Sequence, residues 1–277
     1  MTEPPPQLSH GPSIAQLFSG PLPTEPWRRA VRLFGEAVLY TGLGLFIGLG
    51  WGAASGGILS IFLAAAGLLP RLHELLDENR RLIWERAAGG AAANWITIRS
   101  LLPVFAGVFA AYLFIGATAG AERTVELLGP ALRLGRIEAA GAEPVTSFGA
   151  LVTHRTSILV AFFGVAFVYR SYAALAGLVW AGCVWGSAPV VAGGGAGAIA
   201  VSTAVLITPA LLDAGGLTLS ALAAIYVSKG LVKYRMTDPR ALRVVTASLL
   251  LLALGVSLCL AAGLVEWGLV RPFILQR

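Results

Sequence analysis

The first 26 residues, MTEPPPQLSHGPSIAQLFSGPLPTEP, mix proline with polar residues and lack the basic start and apolar core of a cleavable signal. They predict a disordered cytoplasmic tail. Trp27, Arg28, Arg29 and Arg32 follow directly before an apolar run at 37–69. That order suits an interfacial aromatic and a positive cytoplasmic flank. As one helix, 37–69 would measure about 50 Å, against a hydrocarbon core of about 30 Å. The Ser55-Gly56-Gly57 break therefore predicts a hairpin of two helices. The second continues past Pro70 into RLHELLDENRRLIWERA, where Leu72, Leu75, Leu76, Leu82 and Ile83 recur at helical spacing among charges. This predicts an amphipathic cytoplasmic segment over 71–88.

A third span is expected from about Asn94 to Ala119. The polar stretch after it contains ELLGPALRLGRIE, which predicts a short interfacial helix. Four apolar runs fill the second half, at about 156–188, 190–210, 215–232 and 244–270. Between the last two lies KGLVKYRMTDPRALR, where Lys229, Lys233, Arg235, Arg240 and Arg243 face one acid, Asp238. This is the strongest positive-inside signal in the chain. With the N-terminus inside, an odd number of crossings must separate the polar stretch from this loop. The run 156–188 is therefore expected to cross once, tilted or kinked near Arg170-Ser171. The reading is an all-α, polytopic membrane protein with seven crossings and its C-terminus outside.

Composition supports the same class. Of 277 residues, 57% are hydrophobic and only 12% charged, while soluble domains carry about 25% charged residues. The net charge of +6 reads as loop charge that sets topology, with membrane lipid as the partner and no nucleic acid. Cys183 and Cys259 sit in apolar runs and share no ligand spacing with His10, His73 or His154. Neither a metal site, a cofactor nor a catalytic constellation is expected, so the chain reads as a non-enzyme.

Two groups of residues remain as candidates. Gly44, Gly48, Gly52 and Gly56 recur every fourth position and draw a smooth stripe for packing against a neighbouring helix or a second copy. Arg170, Asp213 and Glu266 are ionisable groups within or beside spans, where unpaired charge costs several kcal/mol. The crossings place Asp213 and Glu266 toward the outer side with His154, Arg155 and Arg271. A cluster assembled there reads as an ion-pair lock, a proton or substrate site, or charges snorkelling to water. Arg170 lies about 20 Å further inward along its helix.

The second half resembles the stage II sporulation protein M family of bacterial membrane proteins. AAGLVEWGLVRPFI looks like that family's closing pattern, with Glu266 and Pro272 at matching positions. HRTSILVAFFGVAFVYRSY, with Gly164 at its centre, and LVWAGCVWG look like its earlier spans. In PALLDAGGLTLSALAAIYVSKGLV, Asp213 stands for the family's glutamate and Pro209 replaces its histidine. Ala181 likewise stands where asparagine is usual. The resemblance covers about 94–275 and divides the chain into a tail (1–26), a membrane hairpin with its amphipathic segment (27–92) and a family-like membrane domain (93–277). It implies a scaffold in the bacterial cytoplasmic membrane. The expected protein partners are a cell-wall enzyme or a MoxR-type ATPase, and a homo-oligomer is compatible with it. The alternative from the residues alone is a small-solute or ion permease using the outer-side carboxylates.

Overall fold

The computed structural model describes residues 20–84, 90–135, 147–193, 195–233, 237 and 239–270, and these contain helices and no strand. In chain order they are α1 (Pro26–Leu49), α2 (Ala53–Trp84), α3 (Gly90–Ala119), α4 (Ala121–Leu134), α5 (Phe148–Tyr169), α6 (Ser171–Val191), α7 (Ala196–Lys233) and α8 (Pro239–Val265). A π-helical turn, Glu266–Val270, continues α8. All except α4 contain a stretch long and apolar enough to cross a membrane. The protein is an all-α, multi-pass bundle. The "near end" is the end of the bundle where α1 begins, and the "far end" is the one opposite.

The number of spans matches the sequence expectation, but their division does not. The run expected to cross once is two helices, α5 and α6, separated by Arg170 alone. Arg170 adopts φ 55° and ψ −126°, which stops α5 and reverses the chain. Conversely, the runs expected to cross separately at 190–210 and 215–232 form the single 38-residue α7. The Asp213-Ala214-Gly215-Gly216 sequence that reads as a turn is helical. Gly216 is a packing surface there, since a Cβ on it would lie 2.7 Å from the Gly255 carbonyl of α8. At about 57 Å, α7 exceeds the hydrocarbon thickness and must tilt or project beyond it.

The core is organised around α6. All its residues except Tyr172 and Ala174 are buried, ringed by α2, α3, α4, α5 and α7. Two glycines let α3 approach closely: a Cβ at Gly182 would meet Val108, and one at Gly186 would lie 2.5 Å from the Phe109 carbonyl. Trp180 donates from its indole nitrogen to the Ala131 carbonyl of α4 at 3.2 Å, because a buried indole N–H needs an acceptor.

The amphipathic segments pack within the bundle. Leu72, Leu75 and Leu76 of α2 are core residues, while His73, Asp77 and Arg80 face outward. The part of that segment beyond Trp84 lies outside the described residues. In α4, Thr124, Leu127, Leu128, Ala131 and Leu132 are buried and Glu122, Arg123, Glu126 and Arg133 exposed. Both helices thus satisfy their apolar faces inside the chain and present charged faces outside it.

The glycine stripe is corrected in one respect. Gly44 and Gly48 of α1 face Ser60 and Gly56 of α2, so the stripe joins these two helices. Gly52 lies in the turn between them at φ 100°, a conformation glycine adopts without cost. The hairpin turn is at 50–52, ahead of the expected Ser55-Gly56-Gly57 break.

Candidate functional site

Two ionic clusters lie within the bundle, one toward each end. The far-end cluster is built on Arg155, on the second turn of α5. Ser147 caps this helix, its hydroxyl accepting from the Ala150 N–H at 3.2 Å. One terminal nitrogen of Arg155 donates to Asp213 Oδ1 of α7 and the other to Glu266 Oε2 at the end of α8. Trp185 of α6 donates from Nε1 to the second Asp213 oxygen at 2.9 Å. The Trp185 ring centroid also lies 5.4 Å from the guanidinium carbon, within cation–π range. Four helices are thereby tied at one point. The Arg155 side chain retains 10% of its exposure, and its Nε is buried without a hydrogen-bond partner.

Charge counting defines what this cluster can do. One guanidinium meets two carboxylates, so the described groups carry one negative charge in excess when all are ionised. Such an excess beside a bilayer attracts cations or calls for water, which distinguishes it from a simple ion pair. Cys259, buried on α8, lies beside Asp213. No three His, Cys, Asp or Glu side chains gather as a metal ion would need, among the described residues.

Of the other residues expected in this cluster, His154 turns to a different partner and Arg271 is not among the described residues, while Arg170 lies inward of it, as expected. The His154 ring nitrogen Nε2 lies 3.0 Å from the Leu134 carbonyl at the end of α4. Arg170 is exposed at the near end, on the α5–α6 turn.

The near-end cluster was not singled out from the sequence. Glu36 on α1, 1% exposed, receives Arg32 Nε at 3.0 Å and Arg71 of α2 through Nε at 2.7 Å and a terminal nitrogen at 2.8 Å. Arg71 also reaches Glu74 at 3.1 Å, and Arg29 pairs with Glu78 through two hydrogen bonds. The remaining guanidinium N–H groups hold residues 20–23. Arg32 donates to the Pro21 carbonyl at 2.7 Å and to the Gly20 carbonyl, and Arg29 Nε donates to the Pro23 carbonyl at 3.0 Å. The Leu22 N–H donates to Glu74 at 2.6 Å, and its side chain is buried. Residues 20–25, expected to belong to a disordered tail, therefore form a strap across the α1–α2 hairpin. The sequence did contain a signal: Arg32 and Glu36 stand one turn apart where the apolar run begins. Arg71 had no signal, because several neighbouring charges share its exposed-looking stretch.

A third contact joins α2 and α3. Asn79 donates to Asn94 and to Thr97, both at 3.1 Å, and the Ser60 and Tyr112 hydroxyls lie 3.0 Å apart further along. One cavity of about 10 Å³, near the volume one water needs, lies among Leu72, Leu101, Leu175, Leu178 and Leu222. The resemblance to the stage II sporulation protein M family rests on the short motifs of the second half, for no family model, curated protein or solved structure matches the chain.

Proposed function

We propose that this protein is a non-enzymatic membrane scaffold, a subunit around which a complex of the bacterial cell envelope assembles. The observation supporting this most directly is the pair of helices α2 and α4. Each seats its apolar face in the chain's own core and turns a charged face outward, one toward each end of the bundle. Helices so placed offer rigid polar ledges to partners on both sides of a membrane. The motif resemblance supports the same reading and suggests the partner class, a cell-wall enzyme or a MoxR-type ATPase. The basic loop at 229–243 supports a cytoplasmic near end and N-terminus in the bacterial cytoplasmic membrane.

The test is native purification in mild detergent, followed by mass spectrometry of co-eluting proteins. A partner near one-to-one stoichiometry, lost when Arg123 and Arg133 on the exposed face of α4 are changed to Glu, is the expected result. Deleting 71–88 is unsuitable, since it removes three core leucines. Elution without any protein partner overturns the scaffold reading.

The excess carboxylate at the far end favours a second reading, a small-solute or ion permease using Asp213 and Glu266. In that case Asp213→Asn and Glu266→Gln proteins stay folded and lose flux in reconstituted vesicles, while wild type transports.

A further inference from the structure

The cavity among α2, α6 and α7 locates a third charged group. Leu72, Ala174 and Leu222 line it. One to two helical turns beyond them, toward the near end, stand Arg80, Arg170 and Lys229. Lys229 is close enough for the charges of Arg80, Arg170 and Asp77 to act on it. Arg170 and Lys229 make no salt bridge among the described residues, although most arginines there meet a carboxylate. Among the described residues Asp77 pairs only with Arg80, at 3.6 Å between side chains that are both more than half exposed. Among the described residues, three cations thus face one weakly engaged acid, a surplus of two positive charges.

The backbone adds an independent reason to regard Arg170 as selected. Its φ of 55° with ψ −126° matches the first central position of a type II′ turn, where glycine is strain-free and other L-residues are not. It is the one non-glycine residue with positive φ among those described. Topology needs only a count of basic residues in loops and does not require an arginine in this conformation. The neighbouring Tyr169 is 68% exposed, as befits a ring at headgroup level.

We propose that Arg80, Arg170 and Lys229 form a binding site for the phosphate of an anionic phospholipid. The phosphate supplies the charge that Asp77 does not, and the acyl chains lie along the apolar outer faces of α5 and α7. Basic residues gathered between helices at the headgroup level recognise such lipids. This goes beyond both functional readings above, neither of which requires it.

Native mass spectrometry of the purified full chain, with added phosphatidylglycerol or phosphatidylcholine, tests the site. Wild type should retain phosphatidylglycerol preferentially, and the Arg170→Gln, Lys229→Gln double variant should lose roughly 5- to 30-fold in affinity for it. Arg28→Gln, at the exposed start of α1, should retain wild-type binding. Arg170→Gly guards against misfolding: it should raise the melting temperature in lipid-free detergent while weakening phosphatidylglycerol retention. Equal retention of the two lipids by wild type, or unchanged retention in both variants, overturns the proposal. Displacement of phosphatidylglycerol by millimolar inorganic phosphate would also overturn it, by showing a free-phosphate site.

Discussion

The two buried ionic clusters use the same side chains to different effect. At the near end, Arg29, Arg32 and Arg71 meet Glu36, Glu74 and Glu78, three cations against three carboxylates, and spare N–H donors are taken up by strap carbonyls. At the far end, Arg155 is the one cation among the described residues to meet Asp213 and Glu266, and its Nε has no partner. A balanced, hydrogen-bonded cluster fixes α1, α2 and the strap in one arrangement. An unbalanced one joins four helices with charge left over, which is the electrostatic signature of a place where something else binds or moves. Burying charge is tolerable only when both charge and hydrogen bonds are matched, so among the described residues the near end is balanced and the far end is not.

The largest effect should come from Glu36→Gln, which leaves two arginines facing a neutral amide in a site closed to water. We expect a loss of about 3–5 kcal/mol, read as collapse of the folded fraction on heating in a fixed detergent. If Glu36→Gln melts like wild type, the near-end cluster is not the lock described. Next is Arg155→Gln, which strands two carboxylates beside each other. Their partial access to water limits the loss to about 2–4 kcal/mol, and the same heating assay measures it. Asp213→Asn ranks third, at about 1–2 kcal/mol. It keeps an acceptor for the Trp185 indole but weakens the hold of Arg155 on α7. Trp185 fluorescence should shift with it, and an unchanged spectrum would place the indole outside the cluster.

The contrast also shows what a linear reading of this chain can reach. The seven spans were legible because a bilayer fixes helix length, and runs of apolar residues report that length directly. Their division was not, because the two punctuation marks in the second half carry misleading chemistry. The break at Arg170 was expected only as a kink; that its backbone torsions reverse the chain is something its side chain does not advertise. Asp213-Ala214-Gly215-Gly216 has the composition of a turn, yet stays helical. Its carboxylate is met by Arg155, 58 positions earlier, and its glycines are covered by α8. Arg155 and Glu266 were placed together because both fall near the outer ends of their spans, but Asp213 joins them from the middle of α7 and not from the end of a shorter span, as the sequence suggested. Glu36 was obscured by its neighbours: among Arg28, Arg29 and Arg32 it looks like part of a wet flank, and only the partner on α2 shows it to be interior.

The smallest effect is also the most discriminating. Glu266 keeps 27% of its side-chain exposure, against 2% for Glu36, so water screens its pairing and replaces part of it on mutation. Glu266→Gln should therefore cost less than about 1 kcal/mol, because Arg155 keeps Asp213 and the surplus negative charge disappears. Removing a surplus charge relieves repulsion, whereas removing half of a matched pair exposes its partner, so the two outcomes have opposite meanings. A melting temperature equal to wild type, beside the collapse of Glu36→Gln, would show that the two clusters differ in charge balance rather than only in burial. A loss as large as that of Asp213→Asn would instead make Glu266 a structural partner of Arg155, and the far end would then be a second lock built like the first.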